Sequence, residues 1–210
     1  MSTTALIEAL QGADSAAGLL MATRNLAGCG DPAAAPALVE VLGFNNPGAA
    51  VAAVDGLIQL GTAAVPALLQ LDPQNYGARA WAVRALAGIG DVRGLEPLED
   101  ALGTDVAASV RRAAAKGLGQ LQLEALEADQ RLAVQERCLN ALLAATGDGE
   151  WVVRYAVAMG LEGLALQLGH KQPVHHGRAR CGLEALAEPT REEVLVVRLR
   201  ASVALARLEA

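Results

Sequence analysis

The stretch NYGARAWAVRALAGIGDVRGLEPLEDAL (residues 75–102) contains two runs of apolar residues at helical spacing. Gly90 and Asp91 separate the two runs, and such a pair is typical of a tight turn. The pattern predicts one helix over about 76–88 and a second helix over about 93–102. Each helix has a single apolar face, and two helices of this length cannot bury both faces by themselves. The stretch is therefore interpreted as one hairpin of a larger helical array.

The same pattern recurs along the whole chain. Six segments superpose on a shared reference leucine, and successive leucines are 31, 29, 32, 43 and 44 residues apart: Leu26, Leu57, Leu86, Leu118, Leu161 and Leu205. Three prolines, 30 and 31 residues apart, each precede an apolar run, as expected of prolines in a first helical turn: Pro36, Pro66 and Pro97. We predict an all-α fold, a right-handed α-α superhelix (solenoid) of five to six helical-hairpin repeats that forms a single domain over 1–210. An irregular insertion is predicted at about 168–181, where Pro and Gly interrupt the pattern.

Composition and charge restrict the possible classes of function. The formal net charge of −6 and the isoelectric point near 5.1 argue against a nucleic-acid partner. No apolar run reaches the length of a membrane span, so we expect no membrane insertion. Three cysteines at long spacings are typical of reduced thiols rather than of a disulfide framework. These features together predict a cytoplasmic protein.

An arginine recurs at one position of the later repeats. It lies seven residues before the reference leucine in repeats three to six, at Arg79, Arg111, Arg154 and Arg198. Leu19 and Ala50 occupy the same position in the first two repeats. An acidic residue precedes three of the arginines by six residues: Asp105, Asp148 and Glu192.

Two interpretations of these arginines remain open. An arginine lies almost two helical turns after the acid of its own repeat, so it is better placed to reach a neighbouring repeat, and the charges would then form a ladder between repeats. Alternatively, some guanidinium groups face a groove and bind an anion, because their planar shape suits carboxylates. Different arginines could serve each purpose.

Nearly all the aromatic residues accompany the arginines. Four of the five lie in the first helix of repeat three or repeat five: Tyr76, Trp81, Trp151 and Tyr155. Each ring by itself could be ordinary core. Rings placed beside guanidinium groups nevertheless suit a flat, conjugated, anionic ligand.

A histidine-rich segment close to a cysteine invites comparison with a metal site. His170, His175, His176 and Cys181 lie within twelve residues. Their spacing fits no zinc pattern, so we predict no metal and interpret the segment as a solvated basic loop.

Four stretches together carry a family resemblance. FNNPGAAVAAVDGLIQLGTAAVP, NYGARAWAVRALAGIGD, SVRRAAAKGLG and WVVRYAVAMGLEGL follow one another in this order. The series resembles the cyanobacterial E/F-type phycobilin lyases with HEAT-like repeats, and in particular their F-type (beta) subunit. The resemblance extends over about residues 35–210.

The resemblance implies an activity and a set of partners. Lyases of this family act in the cytoplasm as a heterodimer with an E-type partner subunit. They attach an open-chain tetrapyrrole through a thioether to a cysteine of a phycobiliprotein, in the best-known case phycocyanobilin on the phycocyanin α subunit. The phycobilin, phycocyanobilin or phycoerythrobilin, is a substrate, and no cofactor is expected.

The resemblance also implies roles for the residues singled out above. The bilin propionates call for cations, with four candidates: Arg79, Arg84, Arg111 and Arg154. The bilin rings call for stacking partners, with Tyr76, Trp81, Trp151 and Tyr155 as candidates. Asp91 and Asp148 are the catalytic candidates that would contact the pyrrole nitrogens, and Tyr76 would relay a proton.

Several alternatives stay open at this point. The chain could be a non-catalytic HEAT-repeat scaffold, or a protein that detaches bilins from phycobilisomes. The first two repeats lack the recurrent arginine, and we expect them to dock against the E-type partner. Asn45 and Asn46 stand where isomerising relatives carry a His-Cys pair, which predicts attachment without double-bond migration.

Overall fold

The computed structural model describes residues 1–72, 74–169 and 172–209, and these form twelve α-helices and no β-strand. The chain divides into two compact units, Met1–Gly94 and Leu95–Ala210. The first unit contains α1 to α6: Thr3–Gln11, Ala16–Ala27, Ala35–Val41, Pro47–Leu60, Val65–Leu69 and Tyr76–Ile89. The second unit contains α7 to α12: Leu95–Thr104, Ala108–Leu118, Ala128–Ala144, Trp151–Leu168, Pro173–Ala187 and Leu195–Glu209.

Each unit is a stack of three helical hairpins. In the first unit α1 packs on α2, α3 on α4 and α5 on α6, and the longer helices α2, α4 and α6 pack side by side. In the second unit the hairpins are α7/α8, α9/α10 and α11/α12, and α8, α10 and α12 pack side by side. The predicted all-α solenoid of helical-hairpin repeats is confirmed.

The repeat signals identified in the sequence coincide with the helices. The predicted helix over 76–88 is α6, Tyr76–Ile89, which ends at Gly90 in the left-handed conformation with φ of 73°. All three periodic prolines lie in the first turn of a short helix. The first five reference leucines lie in the core with at most 3% of their surface exposed, and Leu205 is half-buried.

The predicted irregular insertion at 168–181 is wrong over most of its length. Helix α11 begins at Pro173, where a proline needs no hydrogen-bond partner for its nitrogen, and continues to Ala187. Ala179, Leu183 and Leu186 give the helix a buried face that packs on α10 and α12. Packing of this face stabilises a helix that Pro, Gly and paired histidines obscure in the sequence.

Helices α8 and α10 can approach each other closely because glycines lie at their contact. A Cβ atom built on Gly119 would overlap the backbone of Gly160, and one on Gly160 would overlap the carbonyl oxygen of Ala115. The two helices therefore meet backbone to backbone. This contact fixes the spacing of the hairpins that carry the charged residues described next.

Candidate functional site

The recurrent arginines of the second unit join adjacent hairpins. Arg111 on α8 donates from Nε and Nη2 to the two carboxylate oxygens of Asp148, at 2.7 and 2.9 Å. Arg154 on α10 donates in the same way to Glu192, at 2.5 and 2.8 Å. In both cases the carboxylate belongs to the turn that precedes the next long helix. The ladder interpretation is confirmed for these two pairs.

The third nitrogen of each guanidinium closes the turn before its own helix. Arg111 Nη1 donates to the carbonyl oxygens of Asp105 and Val106, at 2.9 and 3.1 Å. Arg154 Nη1 donates to the carbonyl oxygens of Asp148 and Gly149, at 2.7 and 3.3 Å. Every nitrogen of the two groups is thus occupied. A two-pronged contact with a bilin propionate would require some of these bonds to break.

The two ion pairs lower the pKa values of their carboxylates. The hydrogen bonds from Arg111 hold the pKa of Asp148 below its usual range. The hydrogen bonds from Arg154 hold the pKa of Glu192 below its usual range. Asp148, one of the predicted catalytic acids, is therefore a charged and hydrogen-bonded structural group rather than one able to exchange a proton near neutral pH.

Asp91, the other predicted catalytic acid, forms hydrogen bonds with a nearby residue of the first unit. Its carboxylate accepts hydrogen bonds from the backbone N–H, Nε and Nη2 of Arg93. These bonds lower the pKa of Asp91. Arg93 Nη2 also donates to the carbonyl oxygen of Thr62, so the pair connects two successive turns of the first unit. Asp91 thus occupies a structural position.

Four predicted bilin contacts lie on α6 in the first unit. Tyr76 begins the helix with 71% of its surface exposed. The guanidinium of Arg84 lies over the ring of half-buried Trp81, with Cζ 5.0 Å from the ring centroid. Arg79 is half-buried on the same helix. The Trp81–Arg84 pair is a preformed stack of a ring on a cation, which can accept a further flat group.

The remaining predicted contacts lie on α10 in the second unit. Trp151 begins the helix and is 45% exposed. Tyr155 lines a groove of about 410 Å³ between α10 and α12. The other residues of the groove are largely apolar or cationic: Met159, Val196, Leu199, Arg200, Val203 and Arg207. Tyr155 is thus placed beside two arginines, neither of which the sequence analysis selected.

A buried acid positions these two arginines. Glu162 on α10 is 6% exposed and forms ion pairs with Arg200 and Arg207 of α12. Burial opposes ionisation of Glu162, but the hydrogen bonds from the two arginines prevail and its pKa is lowered. Nη1 of Arg200 is buried and has no hydrogen-bond partner among the described residues. With two arginines and one glutamate, the cluster has a net charge of +1.

A second apolar stripe in the sequence of α12 could have revealed this groove. Val197, Ala201 and Ala204 form the buried face of the helix. Val196, Leu199 and Val203 repeat at the same helical spacing on another face and are 42 to 56% exposed. A helix with an apolar face beyond the one it buries predicts a binding surface.

The described cysteines and histidines do not gather into one cluster. All three cysteines are free thiols, as predicted: Cys29 is half-buried, Cys138 buried and Cys181 exposed. His175 and His176 lie within α11, whereas His170 lies outside the described residues. Among the described residues, no three His, Cys, Asp or Glu side chains are grouped to hold a metal ion. No helix in the described ranges has the length and apolar character needed to cross a membrane.

Comparison with known proteins identifies the repeats and the family. The HEAT repeat model matches residues 65–162, and the PBS lyase HEAT-like repeat model matches residues 20–44. A Synechocystis protein named phycocyanin alpha phycocyanobilin lyase CpcF is 55% identical over 80% of this chain and 80% of its own length. The chain belongs to the phycocyanobilin lyase beta-subunit (F-type) family. The predicted family resemblance is confirmed.

Further relatives agree with this family assignment. A phycocyanobilin lyase subunit beta of Pseudanabaena tenuis is 48% identical over 97% of the chain and 72% of its own length. A solved structure described as the complex of CpcE and CpcF of phycocyanin lyase from Nostoc sp. contains a chain that is 44% identical. That chain superposes with a TM-score of 0.72, over 83% of this F-type chain and 99% of its own length. This chain therefore shares its helical-repeat fold with a chain of that complex.

Proposed function

We propose that this chain is the F-type subunit of a phycobilin lyase that attaches phycocyanobilin to a cysteine of the phycocyanin α subunit. It acts together with an E-type partner subunit. The observation that carries the proposal is the 55% identity with a phycocyanin alpha phycocyanobilin lyase over 80% of both chains. The bilin is the substrate, and the reaction uses no cofactor. The protein acts in the cytoplasm, where its three free thiols remain reduced.

The attachment reaction requires orientation more than strong chemical assistance. The sulfur of the acceptor cysteine adds to the ethylidene group of bilin ring A, and a C–S bond forms while the proton of the thiol passes to the bilin. No atom leaves. A flexible tetrapyrrole must be held in one conformation beside the correct thiol, and such positioning can account for a large part of a rate enhancement.

The groove between α10 and α12 is the surface best suited to hold part of the bilin. The Tyr155 ring and the aliphatic side chains of Val196, Leu199 and Val203 offer an apolar face to a pyrrole ring. Arg207, with 65% of its side chain exposed, can pair with a propionate at the edge of the groove. A volume of about 410 Å³ accommodates part of a tetrapyrrole rather than the whole molecule.

The predicted site residues divide into two groups under this proposal. Tyr155 contacts the bilin directly in the groove, and the stacked Trp81–Arg84 pair offers a second flat surface in the first unit. Arg111, Arg154 and Asp148 act through the framework, because their polar atoms are used between hairpins. Tyr76 lies largely exposed at the start of α6 in the first unit.

Bilin titration of the purified complex tests the proposal. Addition of phycocyanobilin to this chain with its E-type partner should change the absorbance spectrum of the pigment and give a saturating curve. Arg207→Ala and Tyr155→Leu should each raise the apparent Kd about 5-fold or more. Arg112→Ala is the matched control, because Arg112 is exposed on α8 and does not line the groove.

Three results would count against the proposal or a part of it. A pigment spectrum that the complex leaves unchanged would identify the chain as a non-catalytic scaffold. Unchanged titration curves for the groove variants, with a normal curve for the wild type, would remove the α10–α12 groove from the bilin site. Transfer of bilin away from a loaded phycobiliprotein, with none in the other direction, would assign detachment instead.

A further inference from the structure

Asp91 and Asp148 both bind arginines of the framework, so neither offers a free carboxylate to the nitrogens of a bilin. Pyrrole N–H groups are hydrogen-bond donors, and a carboxylate accepts such bonds through either oxygen. Within the described ranges, the second helices of the six hairpins carry three acidic residues: Asp55, Glu162 and Glu209. Glu162 pairs with two arginines, and Glu209 accepts a hydrogen bond from an arginine of α11. Asp55 on α4 is exposed, and among the described residues its carboxylate has no partner.

Two arginines flank Asp55 at the same repeat position. Arg24 on α2, Asp55 on α4 and Arg84 on α6 each lie two residues before the reference leucine of their repeat. A Cβ atom built on Gly56 of α4 would overlap Ala27 of α2, and a glycine of α6 meets α4 in the same way, so these positions are nearly level. The axes of packed helices lie about 8–10 Å apart. One ligand centred on Asp55 can therefore contact both arginines.

A cavity of about 240 Å³ opens between α2 and α4 on this side of the helices. Arg24 and Asp55 both line it, so the two side chains share one face. Ala52 also lines the cavity, and it has the position in α4 that Trp81 has in α6, five residues before the reference leucine. The Trp81–Arg84 stack therefore lies on the same face. We name the surface formed by Arg24, Asp55, Trp81 and Arg84 the α2–α6 face.

The charges around Asp55 come from three neighbouring helices. Helix α4 packs on α2, α3 and α6, and these carry four charged residues. Glu40 on α3 is exposed and does not line the cavity. Arg79 on α6 is half-buried and occupies the position of the ladder arginines of the second unit. Arg24 and Arg84 are thus the charges on the α2–α6 face beside Asp55.

We propose that the α2–α6 face binds the central part of the bilin, with Asp55 as the acceptor of its pyrrole N–H groups. The two propionates bind Arg24 and Arg84, and the Trp81 ring stacks on a pyrrole ring. This inference rests on the proposed function, because the ligand is the bilin. It adds a site in the first unit to the α10–α12 groove of the second unit.

Asp55 has a chemical role in this arrangement. The two propionates neutralise the two arginines, so the charge of Asp55 stabilises a proton on the bilin nitrogens. That proton comes from the acceptor thiol, and protonation makes the ethylidene group more reactive towards the sulfur. In the completed addition the sulfur is bonded to the exocyclic carbon of the ethylidene group, and the proton to the neighbouring ring carbon. No atom leaves and no co-reactant is needed.

A ligand that is only anionic fits the α2–α6 face less well. The carboxylate of Asp55 lies between the two arginines and would repel such a ligand, whether a small anion or an acidic protein surface. A bilin carries hydrogen-bond donors at its centre and carboxylates at its periphery. This order of charges matches the order Arg24, Asp55, Arg84 along the face.

A pH titration of the bound pigment tests the role of Asp55. Phycocyanobilin is bound to this chain with its E-type partner, and the absorbance change on protonation is followed over a series of pH values. Asp55→Asn removes the charge and should lower the pKa of the bound bilin by about 1 to 3. Asp55→Glu keeps the charge and should restore most of this difference. Glu40→Gln removes the same charge from an exposed position of α3 and should leave the pKa of the bilin unchanged.

A comparison of phycocyanobilin with its dimethyl ester tests the arginines. Arg24→Gln and Arg84→Gln should each raise the apparent Kd of phycocyanobilin about 5-fold or more, because each loses a charge-assisted hydrogen bond. The Kd of the ester, which has no propionate charge, should change less than about 2-fold. Arg112→Gln removes the same charge from an exposed position of α8 and should change neither value. Circular dichroism and thermal unfolding confirm that each variant is folded.

The outcomes separate this inference from the proposed function. An unchanged bilin pKa in Asp55→Asn, in a complex that still binds and attaches the pigment, would overturn Asp55 as the acceptor. Equal losses of affinity for pigment and ester in the arginine variants would remove the propionates from the α2–α6 face. Loss of E-type partner binding in these variants, with normal pigment affinity, would assign the face to the partner instead. A wild-type complex that leaves the pigment spectrum unchanged would refute the proposed function itself.

Discussion

Arg111 and Asp148 lie 37 residues apart in the chain, and their side chains form a two-pronged ion pair at 2.7 and 2.9 Å. The pair joins the α7/α8 hairpin to the turn that precedes α10. Arg154 and Glu192 repeat the arrangement one hairpin later. Since each pair is largely shielded from water and fully hydrogen-bonded, loss of one partner costs more than loss of an exposed ion pair.

The first prediction concerns the strength of this bridge. Arg111→Ala should lower the free energy of unfolding by about 2–4 kcal/mol, because it leaves the Asp148 carboxylate without its partner. In a double-mutant cycle with Asp148→Asn, the two effects should couple by about 1–3 kcal/mol. Urea unfolding followed by circular dichroism gives both numbers. Arg112→Ala, on the exposed side of α8, should change stability by less than about 0.5 kcal/mol. Strictly additive effects would show that the pair contributes no mutual stabilisation.

The second prediction concerns pH. The folded-state pKa values of Asp148 and Glu192 are lower than in the unfolded chain, where an acid titrates near pH 4. Their stabilisation is thus complete above about pH 4 and is lost as the pH falls through the lower, folded-state values. Stability of the wild type should decrease steeply below pH 4. Asp148→Asn should show a shallower decrease over the same range, measured by urea unfolding at a series of pH values. A variant curve parallel to that of the wild type would contradict the assignment.

The third prediction tests the backbone contact between α8 and α10. Gly160→Ala should destabilise the protein by about 1–3 kcal/mol, because its Cβ would overlap the carbonyl oxygen of Ala115. Gly103→Ala is the matched control on α7, where a Cβ meets no atom within 4 Å. It should stabilise by about 0.5–1 kcal/mol through helix propensity. Thermal unfolding of the two variants should shift in opposite directions. Equal shifts would show that the two helices do not approach as closely as described.

The fourth prediction concerns the relative reactivity of the Cys138 and Cys181 thiols. Burial raises the pKa of Cys138 to about 12, so almost none of it is thiolate at neutral pH. Cys138 should react with a disulfide reagent only after unfolding, whereas exposed Cys181 should react at once in the native protein. The measurement is the number of thiols titrated before and after addition of denaturant. Rapid reaction of Cys138 in the folded protein would contradict its position in the core.

Periodicity in the sequence predicts this fold well, because the same leucine, proline and turn positions repeat. The helix predicted over 76–88 differs by one residue from α6. Helix α11 escaped prediction because Pro173 and the nearby histidines suggest a loop, whereas packing buries a face that includes Ala179, Leu183 and Leu186. The helix propensity of its residues alone does not predict such a helix, because packing against neighbouring helices stabilises it.

The candidate site was harder to predict, because its contacts lie between hairpins. The sequence predicts a ladder between repeats as one of two interpretations of the arginines, and the bond from Arg111 to Asp148 of the next turn confirms it. Tyr155 was found from its type and its proximity to Arg154. Arg207 was not found, since it meets the groove only through packing of α12 on α10.

Reconstitution of the attachment reaction tests the central claim most directly. The phycocyanin α subunit is incubated with phycocyanobilin, the E-type partner and this chain, and the mass of the denatured acceptor is measured. The account predicts that the acceptor gains the mass of one bilin, and that the yield falls to the spontaneous level when this chain is left out. Equal yields with and without this chain would contradict its assignment as a lyase subunit.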